Sequence, residues 1–149
     1  MSIPDFDRNG LLPAGVFDCT LDAIRIRFGW NDRRLMLFNN LAAFIENEVR
    51  PGFPDPWYCD GSFVTDKDMP EDTDVVLDLS AAPDDRKWRG FEFMNREQPR
   101  LFTQYRVDFW VNLPGGNNFT LFFQYVGIKT ARFKGLDPYH HKGILRVLS

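Results

Sequence analysis

The sequence predicts an α+β fold, a mixed β-sheet with N-terminal helices packed on one face. Three observations carry this expectation. A helix-period apolar stripe occupies the region after residue 31. Short, strongly apolar segments follow from residue 57 onward. Clusters of Gly, Pro and Asn separate them. The chain has 149 residues, 44% hydrophobic and 15% aromatic. That suffices for a sizeable core, expected as one domain over 1–149, and excludes disorder.

Residues 1–19 carry Pro4, Gly10, Pro13 and Gly15 and read as an extended arm with turns. Its apolar Ile3, Phe6, Leu11 and Leu12 should pack on the body or dock a partner. Thr20 is placed to cap a helix over 21–28 that Gly29 ends. Asn31 or Asp32 opens the clearest helix. Leu35, Phe38, Leu41, Ala42, Ile45 and Val49 form its stripe, Arg33, Arg34, Glu46 and Glu48 lie largely off it, and Pro51-Gly52 ends it. Residues 57–60 and 73–79 read as strands, the second apolar enough to be central. The polar segment 81–100 reads as a loop with one helical turn near Trp88–Asn95. Residues 104–111 predict a third strand, 114–118 a turn, and 119–125 a fourth strand antiparallel to the third. Residues 127–142 read as a basic loop and 143–148 as a closing strand.

The net charge of −3 excludes a bulk electrostatic nucleic-acid binder, though not a local basic patch. Cys19 and Cys59 lack metal-site spacing and read as a buried, reduced pair. The acidic N-terminus has no basic-then-apolar signal pattern, and no run reaches membrane-spanning length. A cytoplasmic protein without membrane contact is expected.

The chemistry concentrates between Trp57 and Ser80. Asp72 and Asp74, at i and i+2 leading into Val75-Val76-Leu77, share one face of a strand. Two carboxylates so placed repel unless something positive sits between them, and a divalent ion is the usual answer. Gly61-Ser62 upstream offers small groups and backbone amides for a phosphate. Asp108, an isolated charge in Arg106-Val-Asp-Phe-Trp-Val111, is the candidate third carboxylate; a salt bridge with Arg106 or Lys129 would also explain it. Such a set suits metal-assisted nucleotidyl transfer with Mg2+ or Mn2+ and a nucleoside triphosphate.

The pattern apolar–Gly61–Ser62, nine intervening residues, then Asp72–x–Asp74–apolar resembles the signature of the polymerase-β-type nucleotidyltransferase superfamily. The wider chain resembles a bacterial family of short nucleotidyltransferase-like proteins. The shared features are I-P-x-F-D-x-N-G-L-L-P-x-G at 3–15, R-F-G at 27–29, D-G-S-F-V-T-D-K at 60–67 with P-x-D-x-D-V-V following, and K-G-I-L at 142–145. The resemblance implies the superfamily fold, a divalent ion held by Asp72, Asp74 and Asp108, and a triphosphate held by Gly61 and Ser62. It also implies a protein or RNA acceptor, and a place in toxin–antitoxin or phage-defence loci beside a partner from a two-gene system. A non-catalytic interaction module on the same scaffold is the alternative. Minimal members carry a small residue and Arg just after Gly-Ser. Here Phe63, Val64 and Thr65 fill that space and Lys67 is the nearest cation.

Lys67 reads either as a phosphate-contacting point charge or as a solvated loop residue. Lys129, Arg132, Lys134, Lys142 and Arg146 make the C-terminal segment basic, either for phosphate or RNA or as a solvated edge. Adjacent His140 and His141 read as a surface loop. Tyr105, Phe109, Trp110, Phe119, Phe122 and Phe123 are assigned to the core ahead of a base-stacking platform.

Overall fold

The computed structural model describes residues 3–116 and 118–148. Asn117, inside the expected 114–118 turn, lies outside the described residues, as do Met1, Ser2 and Ser149. The fold is α+β. Strand β1 is Gly15–Cys19, followed by helices α1 (Leu21–Phe28) and α2 (Asp32–Phe44), the latter ending in one π-helical turn, Ile45–Val49. Strand β2 is Trp57–Asp60 and β3 is Thr73–Asp78. Helix α3 (Asp84–Tyr105) leads into β4 (Val107–Asn112). The short helices α4 (Phe119–Phe122) and α5 (Ile128–Lys134) precede β5 (Gly143–Val147).

The helix caps follow the sequence. Thr20 Oγ1 accepts from the Ala23 amide at 3.1 Å, and Asn31 Oδ1 accepts from the Arg34 amide at 2.8 Å. The five strands lie in the order β1-β5-β2-β3-β4. β1 runs parallel to β5 and β3 parallel to β4, while β2 is antiparallel to both of its neighbours.

The register sorts side chains onto two faces, because the strand period is two. Phe17, Leu145, Cys59, Val75 and Phe109 form one cross-strand row. That row faces the main core with Leu37, Leu41, Phe44 and Leu101 from the helices. Phe44 and Phe93 meet Phe109 edge-on, at centroid distances of 5.4 and 5.6 Å. The other face carries Asp60, Asp74 and Asp108 in one row. A second small cluster joins Leu11 of the arm to Val126 and Ala131 of the C-terminal segment.

Five expectations are corrected. The arm contains a strand, β1, whose partner β5 lies more than a hundred residues away and leaves no local signal. Segment 81–100 is not a loop but most of the 22-residue helix α3. Its polar exterior and Pro99 disguise it. Asp84 and Asp85 sit in its first turn, where the helix dipole favours them, and Gly90, Leu101 and Tyr105 are buried at helical spacing. Gln104 and Tyr105 belong to that helix, so the third expected strand begins later. Residues 119–125 do not form an antiparallel strand. Asn118 caps α4, and Asn112 Oδ1 accepts from the Phe119 amide at 2.8 Å, turning the chain away from the sheet. The outer edge of β4 is met instead by α3, where Gln98 Nε2 donates to the Phe109 carbonyl at 2.6 Å. Finally, 127–142 contains helix α5 rather than loop alone.

Candidate functional site

One end of the sheet collects the C-terminal end of β2 and the N-terminal ends of β3, β4 and β5. Antiparallel pairing places Asp60 opposite Asp74, and parallel pairing places Asp74 opposite Asp108. Asp72, just ahead of β3, adds its charge to the same group. The structure therefore brings together all three carboxylates expected from the sequence and adds Asp60. That residue was legible by the argument used for Asp108: it too is an isolated charge closing an apolar strand, Trp57-Tyr-Cys-Asp60.

The electrostatics are those of crowded anions. Burial pushes the Asp60 and Asp74 carboxyls well above the usual carboxylate range; the charge of Asp74 adds to the rise of Asp60, and those of Asp72 and Asp108 to the rise of Asp74. Burial also raises Asp72 and Asp108. The interaction between Asp74 and Asp108 raises the first further and opposes the rise of the second. Both Asp60 oxygens are buried without a hydrogen-bond partner. The positive charge closest to them comes from Lys142, itself buried just before β5 and lowered by that burial, and held up by Asp60 and Asp74. Lys142 thus has a role at the site that its place in a basic segment did not reveal.

Gly61 is fixed by this cluster. Its φ is +79°, and a Cβ built there would lie 1.8 Å from Asp74 Oδ2. Only glycine allows the chain to turn out of β2 against that carboxylate. Ser62 then starts a 3-10 turn, Ser62–Val64, and its carbonyl accepts from Thr65 Oγ1 at 2.7 Å.

The loop from Ser62 to Asp72 is held by the α1–α2 junction. Arg34 is completely buried, which corrects its expected place off the apolar stripe of α2. Its guanidinium donates to the carbonyls of Phe63 (2.6 Å), Thr65 (2.7 Å) and Lys67 (2.5 Å). It also stacks on the Trp30 ring at 3.7 Å. Arg33 Nε donates to the Pro70 carbonyl at 2.9 Å, and Asn31 Nδ2 to the Asp68 carbonyl at 2.8 Å. Asp66 at the loop tip receives Lys134 of α5 at 2.8 Å and packs on Gly10 of the arm. The arm motif is therefore architectural: Asp7 Oδ1 accepts from the Asn9 amide at 2.8 Å and shapes the turn carrying Gly10.

Two cavities open beside Ser62. One of about 570 Å³ is lined by Lys67, Asp72, Lys129, Arg132 and Lys134. Lys67 is exposed there and lowers Asp72 by its charge, so it stands on the site side of the loop. The other, of about 330 Å³, is lined by Gly61, Lys142 and aromatic residues of the C-terminal segment. Of the six aromatic residues expected in the core, Tyr105 and Phe109 are buried there. Trp110 and Phe119 stack together at 4.8 Å over the other face, and Phe122 is exposed. Cys19 and Cys59 are both free and buried.

Among the described residues, no group of three or more His, Cys, Asp or Glu side chains already stands at common ligand distance. The donor type nevertheless suits a hard divalent ion, since Asp74 sits opposite both Asp60 and Asp108 on paired strands and Asp72 adds its charge to the same group. No helix among the described residues is long and apolar enough to cross a membrane. Residues 4–148 match the model of a protein family described as a family of unknown function (DUF6932). No curated protein and no solved structure matches the chain.

Proposed function

We propose that this chain, which belongs to the DUF6932 family, is a metal-dependent nucleotidyltransferase acting on a protein or RNA acceptor. The observation that carries the reading is the cross-strand row Asp60–Asp74–Asp108 with Gly61 forced against Asp74. A stability-driven fold has little reason to place three aspartates side by side with two of them, Asp60 and Asp74, buried.

In this reading Asp72, Asp74 and Asp108 would hold Mg2+ or Mn2+, which supplies positive charge at the reacting phosphate and lowers the pKa of the acceptor hydroxyl. Gly61 and Ser62 seat the phosphates, and Lys67 adds a point charge. The acceptor oxygen attacks the α-phosphorus, the α–β phosphoanhydride bond breaks, and pyrophosphate leaves. Asp108, outermost in the row, takes the acceptor proton. Asp60 and Lys142 lie behind Asp74 and set the charge against which it works.

The test is transfer of label from each α-labelled nucleoside triphosphate in host lysate, with Mg2+ or Mn2+, with and without RNase. Labelling by wild type that is lost in Asp72→Ala/Asp74→Ala supports the reading, and RNase sensitivity separates RNA from protein acceptors. Absence of both transfer and metal-dependent nucleotide binding would sink it. One feature favours the alternative of a non-catalytic module that binds a partner from a two-gene system. Phe133 and Ile128 of α5 are 88% and 69% exposed, an apolar surface beside the site. Partner binding that survives Asp72→Ala/Asp74→Ala without any transfer would support that alternative.

A further inference from the structure

The cavity beside Gly61 and the cavity beside Asp72 share two walls, Ser62 and Thr130. They adjoin at those residues and differ in chemistry, as two halves of one candidate site. The larger half is cationic on balance, with Lys67, Lys129, Arg132 and Lys134 against Asp66, Glu71 and Asp72 in its lining and Asp66 paired to Lys134. Residues 119–148 carry five basic side chains against one acidic, Asp137, in a chain whose net charge is −3. Three of the five, Lys129, Arg132 and Lys134, line that half. The smaller half is aromatic, with Phe122, Phe123, Tyr125 and Tyr139 around it. Phe122 and Tyr139 remain 66% and 78% exposed, so core packing does not account for them. Tyr125 is fixed between neighbours, 4.7 Å from the His141 ring and 6.1 Å from the Tyr139 ring.

We propose that the aromatic half seats the nucleobase of the donor nucleotide while the cationic half receives its terminal phosphates, an assignment that rests on the nucleotidyltransferase reading above. The junction at Gly61 and Ser62 then sets the α-phosphate against the carboxylate row. About 330 Å³ is of the size that takes a ring system with its sugar. Stacking on aromatic faces is tolerant of base identity, because every base has a π-face. Ser62, Thr130, Lys142 and the hydroxyls of Tyr125 and Tyr139 are the polar side-chain groups that line this half, and no Asn, Gln, Asp or Glu is among its lining residues. The side-chain amides and carboxylates that engage a base edge with two atoms at once are therefore absent from the seat. The four nucleobases are bound alike, and selectivity, where it exists, comes from the acceptor.

The test is equilibrium binding of the full chain, with Mg2+, to the α,β-methylene analogues of ATP, GTP, CTP and UTP and to inorganic tripolyphosphate. The four analogues are expected to bind within about fivefold of one another and at least about tenfold more tightly than tripolyphosphate. Phe122→Ala and Tyr139→Ala, both at exposed positions, should each remove most of that advantage and leave tripolyphosphate binding unchanged. Equal affinity of wild type for nucleotide and tripolyphosphate would overturn the base seat while leaving the phosphate site standing. So would an advantage that survives both substitutions. Strong preference for one base would overturn the stacking-only assignment. Failure of tripolyphosphate and nucleotides alike to bind would remove the nucleotidyltransferase reading with it.

Discussion

At the scale of single residues, the tightest constraint is between Gly61 and Asp74. A methyl group at Gly61 would meet two penalties. Its φ of +79° disfavours any L side chain, and its Cβ would lie 1.8 Å from Asp74 Oδ2. The two penalties separate experimentally. Gly61→Ala should destabilise the wild-type protein by about 3 kcal/mol, combining backbone strain with displacement of a packed side chain. In an Asp74→Ala background the second penalty disappears, and the same change should cost only about 1 kcal/mol. Urea denaturation of the four proteins in the cycle measures this. Equal costs in both backgrounds would mean that Gly61 serves the turn alone and is not shaped by the carboxylate. The result bears on function because a Gly61 held against Asp74 ties the phosphate-side turn to the carboxylate row.

At the scale of elements, Arg34 joins the helical layer to the loop between Ser62 and Asp72. Its guanidinium is desolvated enough to be lowered to about 10, yet it remains cationic at neutral pH. Its five N–H donors reach the carbonyls of Phe28, Phe63, Thr65 and Lys67, one more than the three donors of a lysine ammonium can satisfy. Arg34→Lys should therefore cost about 2–4 kcal/mol, through carbonyls left without donors. Amide exchange should accelerate across 63–68 more than in α3. Uniform acceleration over both segments would show that Arg34 is only part of the general core. The same element scale explains what was legible in the sequence. Helices α1 and α2 announced themselves through Thr20, Asn31 and an apolar stripe, and β2, β3 and β5 through apolar runs. Helix α3 did not, because most of its surface is wet and Pro99 interrupts its pattern, while Gly90 hides a contact with Leu79 that only the fold creates. Residues 119–125 have the aromatic composition of a strand, but no free strand edge on that side takes them. Asp72, Asp74 and Asp108 were readable because charge in an apolar strand needs a reason. Asp60 was open to the same argument, whereas Lys142 was not, because its significance comes from packing against Asp60 and Asp74, a long-range property.

At the scale of the whole molecule, the fold spends stability to gather charge at one end of the sheet. Asp60, Asp72, Asp74 and Asp108 all have their carboxyls raised by burial. A raised folded-state value means that the native protein holds these protons more tightly than the unfolded chain does. Their contribution is fully present below the unfolded carboxyl value, about 4, and is lost as pH rises through the raised values. Lys142, facing Asp60 and Asp74, is lowered, and its effect runs the other way at alkaline pH. Without divalent ions, thermal stability should therefore decline from mildly acidic to neutral pH. Asp60→Asn/Asp74→Asn should flatten that decline, since neither amide titrates. A divalent ion that binds only the native, deprotonated row adds RT ln(1 + [L]/Kd), about 2.7 kcal/mol at a hundredfold excess over Kd. Binding should release protons, and the stabilisation should grow with pH over the range where the row would otherwise lose it. Thermal melts across pH with and without Mg2+, joined to calorimetry in buffers of different ionisation enthalpy, read both quantities. If the wild type and the doubly amidated variant decline in parallel, with no metal-linked proton release, the row is not the origin of the pH dependence. In that case it does not act as a divalent-ion site, and the cost of burying four carboxyls must be offset by something other than a bound cation.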